Sequence, residues 1–171
     1  MGLGKPWTVS LLLLSSVALI PGCRQNGTTR LAQDFHSYQT VEEVRAELKN
    51  KGFNAGWQEN SQATAPGDKR PSYEIRDLAG AYKSLGVDGH LRLTFYNGYL
   101  MEAQFSPERT NDYLSALQKA GAGVPTKPSE EISIDRRTRF RFDVGESGRS
   151  LFTWYDSKLE NEWRRWVANN S

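Results

Sequence analysis

Few residues in this chain could do covalent or metal chemistry, and they are scattered. Among 171 residues there is one cysteine, Cys23, and there are two histidines, His36 and His90. A thiol becomes a good nucleophile when a base or cation beside it lowers its pKa, and neither histidine lies near Cys23 in the chain. His36 sits in a polar stretch, where solvation accounts for it. Asp88 and His90 could provide half of a metal site, but no further ligand follows at a helpful spacing. Glu130 and Glu131 are neighbours, so on a strand they point to opposite faces and cannot form an acid–base pair. The sequence holds no Gly-x-Ser-x-Gly, no phosphate-binding loop and no His-Glu-x-x-His. No catalytic residue, metal ligand or cofactor is expected.

Cys23 is more informative for what precedes it. Lys5 gives a positive start, and Val9 to Ile20 is an apolar run broken only by Ser10, Ser15 and Ser16. That run fits the 7 to 15 residues, roughly, of a secretory signal's apolar region and is shorter than the about 20 residues that cross a bilayer. Pro21 and Gly22 end it, and Ile20-Pro21-Gly22-Cys23 resembles the lipobox of bacterial lipoproteins. Ile20, Gly22 and Cys23 stand at the aliphatic, small and cysteine positions, whereas Pro21 occupies a place where a small or hydroxyl residue is usual. The resemblance implies cleavage before Cys23 and a thioether-linked diacylglycerol on its sulfur. It also implies a cell-envelope location, in the outer membrane facing the periplasm where the host has two membranes, because Arg24 stands where a retention aspartate would. In a one-membrane host the expected place is the outer face of the cytoplasmic membrane.

Removal of residues 1–22 would leave 149 residues, enough for one domain, with a net charge of +1 in place of +2. Such a balance lacks the strongly basic footprint of a dedicated nucleic-acid binder, so no nucleic-acid partner is expected. With no second cysteine the domain has no disulfide, and packing of its 11% aromatic residues must hold it together. The division expected is a signal at 1–22, a lipidated cysteine with a flexible polar tether at 23–39, and a single domain at 40–171.

The elements of that domain follow from local signals. Thr40 and Glu43 form a capping box for a helix over 41–51, with Val41, Val44 and Leu48 on one face and Gly52 as terminator. Phe53 to Gln62 reads as a first strand, 61–71 as a loop, and 72–78 as a strand. Residues 79–89 read either as a strand or as an irregular crossing, with a turn at Asp88-Gly89. The segment 90–105 reads as a hairpin closed by a three-residue loop, Tyr96-Asn97-Gly98. That register pairs Phe95 with Tyr99, Leu93 with Met101 and Leu91 with Ala103, and sets Arg92 opposite Glu102. Ser106 and Pro107 read as the start of a second helix with Tyr113, Leu114 and Leu117 on its apolar side. A short strand near 131–135 follows, and then the alternation of Phe140, Phe142 and Val144, whose partners across a turn are Phe152 opposite Phe142 and Trp154 opposite Phe140. Ser157 and Glu160 read as a capping box for the last helix, with Leu159, Trp163, Trp166 and Val167 on one side and a Glu160–Arg164 pair on the other. The sum is an α+β fold, an antiparallel sheet of about five to seven strands with three helices packed on it.

Two groups could contact a partner or ligand. Trp154, Trp163 and Trp166 could line an aromatic pocket between the sheet and the last helix, although aromatics at strand and helix spacing also build cores. Arg136, Arg137, Arg139 and Arg141 could meet anionic head groups, although their interleaving with Phe140 and Phe142 also describes the wet face of a strand. Thr40-Val41-Glu42-Glu43-Val44 with Leu91-x-Leu93-x-Phe95-x-x-Gly98-x-Leu100 resembles the SmpA/OmlA family over roughly residues 40–105. That resemblance implies a small outer-membrane lipoprotein that assists assembly of β-barrel proteins. The family's close helix pair is not seen, and residues after 106 lie outside the likeness. The expected function is a non-enzymatic envelope lipoprotein held by lipid on Cys23, meeting another envelope protein through an edge strand or the Tyr96 turn. The alternative is a binder of small apolar or lipid ligands.

Overall fold

The computed structural model describes residues 28–32, 34–53, 56–64, 73–125, 127–145 and 148–170. The elements run α1 (Val41–Asn50), β1 (Gln58–Ala63), β2 (Glu74–Ser84), β3 (Val87–Tyr96), β4 (Tyr99–Pro107), α2 (Thr110–Lys119), β5 (Glu130–Ser133), β6 (Thr138–Val144), β7 (Ser150–Asp156) and α3 (Ser157–Asn170). The seven strands form one antiparallel sheet in the order β1-β2-β3-β4-β7-β6-β5, and the α+β expectation holds.

Alternation along the strands gives the sheet two unlike faces. One carries Leu78, Tyr82, Leu91, Leu93, Phe95, Ala103, Phe105, Phe140, Phe152 and Trp154 beneath Val44 and Leu48 of α1 and Tyr113 and Leu117 of α2. Its aromatic rings touch in sequence. Trp154 lies parallel to Phe140 at 4.4 Å, Phe152 meets Phe142 at 5.1 Å and Tyr113 at 5.0 Å, and Tyr113 meets Phe105 at 4.8 Å. The predicted pairs Phe142–Phe152 and Phe140–Trp154 are both in register. The other face carries a smaller apolar group, Tyr38, Tyr96, Met101 and Leu159, with Tyr73, Ile75 and Trp163 packed on it. So α3 does lie on the sheet, on the side away from the main core.

Several elements differ from their sequence reading, each for a physical reason. The expected tether is folded from residue 29. Leu31 and Phe35 enter the main core, Ser37 is fully buried, and Thr29 exchanges hydrogen bonds with Ser37: Ser37 N–H to the Thr29 carbonyl at 2.8 Å, Thr29 N–H to the Ser37 hydroxyl at 3.0 Å. The three apolar residues Leu31, Phe35 and Tyr38 give this turn a buried side despite its polar composition. Cys23 lies outside the described residues, as does the whole predicted signal.

The capping box of α1 is present, with Thr40 N–H donating to Glu43 at 2.7 Å, and Gly52 terminates the helix with φ +84°. The first strand starts later than expected, at Gln58. Trp57, just before it, lies flat against β2, where a Cβ on Gly80 would come within 2.8 Å of the indole. The turn between β2 and β3 is Leu85-Gly86, both with positive φ (51° and 80°), as a two-residue type I′ hairpin requires. Asp88 and Gly89 are therefore in β3. Gly89 is there for close packing, since a Cβ would stand 2.5 Å from the Ser106 carbonyl oxygen and 2.6 Å from the Phe105 ring.

The next hairpin closes through two residues, Asn97 (φ 48°) and Gly98 (φ 80°), so that Tyr96 pairs with Tyr99 and Phe95 with Leu100. A tight turn alone would set Leu93 against Glu102. A bulge where the register shifts, at Thr94/Phe95, inserts one residue in β4 and restores Leu93 opposite Ala103 and Leu91 opposite Phe105. Arg92 consequently faces Gln104, and Thr94 faces Glu102. β4 runs through Pro107, and α2 begins at Thr110 without a side-chain cap, so Ser106 and Pro107 do not start it. The cap of α3 is Asp156, whose Oδ1 accepts the N–H groups of Lys158 (3.0 Å) and Leu159 (3.1 Å); Ser157 already belongs to the helix.

Candidate functional site

The residues singled out in the sequence do not converge. Trp154 is buried in the main core against Phe140, whereas Trp163 and Trp166 lie across the sheet on α3. Trp163 donates its indole N–H to the Tyr73 hydroxyl at 3.3 Å, and Trp166 stacks on the Tyr73 ring at 4.2 Å and 14°. A cleft of about 240 Å³ lined by Ala63, Thr64, Tyr73, Trp166, Val167 and Asn170 lies between β1, β2 and α3. Tyr96 is 8% exposed, held beneath α3 with Tyr73, Met101 and Leu159, so the turn cannot offer it to a partner; the exposed ring there is Tyr99. Sequence periodicity assigns a side chain to one face of its own element and leaves open which layer that face meets.

The second face instead brings together a row of polar groups that the sequence reading did not single out as a set. Across the sheet run Asp77, Thr94, Glu102 and Tyr155, paired strand to strand in that order. Thr94 donates its hydroxyl to Asp77 at 2.6 Å, and Tyr155 donates to Glu131. Arg141 holds Asp143 at 2.5 Å, Arg139 approaches Glu131 at 3.9 Å, and Glu160 of α3 pairs with Arg164 at 2.7 Å, as predicted. Glu102 makes no ion pair or side-chain hydrogen bond with these neighbours. Its burial pushes the carboxyl up to about 7; Arg141 opposes the rise, and Glu160 and Asp77 add to it. Burial together with the Asp34 and Glu131 carboxylates likewise raises the Tyr82 and Tyr155 phenols, and burial lifts Tyr113 to about 12. A carboxyl that changes charge near neutrality could exchange a proton. Among the described residues no cysteine, histidine or serine is hydrogen-bonded to Glu102, and the hydroxyls of the row, Thr94 and Tyr155, donate to Asp77 and Glu131 instead. The alternation through Met101, Glu102 and Ala103 carries no local signal that the carboxyl at 102 is half-buried.

Two other clefts are larger than the one beside Trp166. One, about 370 Å³, opens between α1 and the β1–β2 edge, with Leu48, Phe53, Trp57 and Leu78 inside and Arg45 and Glu59 at the rim. Arg45 and Arg76 both pair with Glu59, which fixes the rim. The other, about 400 Å³, is bounded by Arg136, Arg137, Lys158 and Arg165. Asp88 is exposed beside Lys83 at 3.2 Å, and His90 is exposed; no group of three or more metal-ligating side chains occurs among the described residues. No protein-family model, curated protein or solved structure matches the chain.

Proposed function

We propose that the chain is a membrane-anchored envelope lipoprotein, held by lipid on Cys23, whose domain is a non-enzymatic interaction module for another envelope protein. The observation that carries the interaction reading is β1. All six of its residues, Gln58 to Ala63, are exposed, and among the described residues it pairs only with β2. An outer edge of this kind accepts an extended segment of a partner as an added strand, with backbone hydrogen bonds giving affinity. The cleft beside it supplies Phe53 and Trp57 as a pocket for one apolar side chain of that segment. The resemblance of residues 40–105 to barrel-assembly lipoproteins agrees in kind with such a partner. A small apolar ligand between the sheet and α3 is less well served, because the cleft there is below the roughly 300 Å³ typical of ligand pockets and its tryptophan is stacked on Tyr73.

The test is photo-crosslinking in intact cells from Asn60 on β1, with Ser115 on the exposed side of α2 as the reference position. A discrete adduct with an envelope protein from position 60, absent from position 115, is the expected result. Adducts of the same pattern from both positions, or none from position 60, would overturn the edge-strand reading.

A further inference from the structure

The described chain starts at residue 28, five positions after the proposed anchor, and this limits how far that part of the domain can stand from the membrane. Thr29 is six positions from Cys23, so even a fully extended chain holds it within roughly 20 Å of the acylated sulfur. Thr29 and Arg30 are fastened at one corner: the Thr29 hydroxyl meets that of Thr138, and the Thr138 hydroxyl contacts the Arg30 carbonyl at 3.2 Å. Thr138 follows directly on Arg136 and Arg137, which form one wall of the 400 Å³ cleft, with Lys158, Asn161 and Arg165 of α3 on the other.

The charges of this cleft do not cancel. Arg137 is held by buried Asp156 at 2.7 Å, and Lys158 lies 3.9 Å from Glu162, the one acidic residue of the lining. The side chains of Arg136 and Arg165 make no ion pair or hydrogen bond with any described residue. The next two arginines along β6, Arg139 and Arg141, are by contrast matched to Glu131 and Asp143. Asp156 already satisfies the first N–H groups of α3, so the attraction offered here comes from guanidinium and ammonium groups.

We propose that this corner is the membrane-facing surface of the domain and that the Arg136/Arg137/Lys158/Arg165 cleft receives the phosphate of an anionic phospholipid headgroup; the proposal rests on lipidation of Cys23. Guanidinium groups suit phosphate oxygens, and each basic residue brought to an anionic surface strengthens binding about fivefold. The lipid chain would hold the protein on the membrane, and the cleft would set its orientation, directing the Leu85-Gly86 turn at the far end of the strands away from the bilayer.

The experiment uses the lipidated protein, reconstituted into vesicles whose headgroups carry a fluorescence quencher. Once Cys23 is acylated, an introduced cysteine is the only thiol, so Asn161→Cys reports on the cleft and Lys83→Cys on the far end. With phosphatidylglycerol present, the label at 161 is expected to be quenched several-fold more than in all-phosphatidylcholine vesicles, while the label at 83 is indifferent to composition. Adding Arg136→Glu and Arg165→Glu should abolish the difference at 161. Equal quenching at both positions, or quenching at 161 that ignores lipid charge or the two substitutions, would overturn the proposal. Incorporation of two labels per chain would show Cys23 unmodified and sink the anchor reading by itself. That chain would then be floated with both kinds of vesicle: preference for the anionic ones, lost with Arg136→Glu and Arg165→Glu, would retain the headgroup site, and equal recovery would remove it.

Discussion

The two faces of the sheet differ in what their side chains do for one another. On the main face, contacts are apolar and continuous from Leu31 through the aromatic series to Trp154, with α1 and α2 as lids. On the second face, a small apolar group under α3 borders a row of charged and polar groups that includes Glu102, whose carboxyl makes no ion pair or side-chain hydrogen bond among the described residues. The first arrangement explains why the chain folds. The second costs stability at Glu102 and leaves charged groups near the surface, which marks it as the more permissive of the two.

The sharpest way to break that comparison is to delete one ring from each face. Phe152→Ala removes a fully buried ring that touches Phe142, Phe140 and Tyr113, and should cost about 4 kcal/mol in denaturant unfolding. Trp166→Ala, which loses only a half-buried stack on Tyr73, should cost about 1 kcal/mol. Comparable losses would mean that the faces share the core. Next in size is Asp156→Ala, which strips the cap of α3 and removes the buried carboxylate that holds Arg137, for a loss of about 3 kcal/mol. Asp156→Asn keeps a capping oxygen and should recover the smaller, capping part of that loss, about 1 kcal/mol.

Glu102 gives a pH signature. A carboxyl whose folded pKa is raised stabilises the fold most, relative to higher pH, below its unfolded value near 4.5, and that advantage is lost as pH rises through about 7. Glu102→Gln should therefore be close to neutral at pH 4 and more stable than the parent at pH 8, by no more than about 3 kcal/mol. Melting curves at the two pH values check the sign, and a variant destabilised at pH 8 would show that the carboxylate is paired in solution. The smallest effect belongs to Arg165→Glu, within about 0.5 kcal/mol in unfolding because the exposed side chain makes no ion pair or hydrogen bond with a described residue. Its consequence should appear only on anionic vesicles.

What the sequence disclosed follows the same divide. The Thr40/Glu43 box and the Phe140/Phe142 ladder facing Phe152/Trp154 were legible because each is set by neighbours in the chain or by one short turn. The bulge that rescues the Asn97-Gly98 hairpin was not, since the two-residue turn and the alternation of β4 conflict, and only an inserted residue reconciles them. Ser106-Pro107 carries a strong helix-start signal that pairing with β3 overrides. Leu31, Phe35 and Tyr38 were hidden by their polar neighbours, and their i, i+4, i+7 spacing is no guide because the segment folds as turns and isolated bridges. The separation of Trp154 from Trp163 and Trp166 depends on which face α3 crosses, a long-range choice that no local pattern encodes. Enclosure of Glu102 depends on the same crossing.

The proposed anchor depends on Cys23. The direct measurement is the intact mass and membrane fractionation of the protein made in a bacterial host, beside the Cys23→Ala variant. Lipid anchoring requires a chain that starts at residue 23, carries a diacylglycerol-bearing cysteine and sediments with membranes, and a variant that is released from them. An unmodified Cys23, or a Cys23→Ala protein that stays membrane-bound, would contradict it.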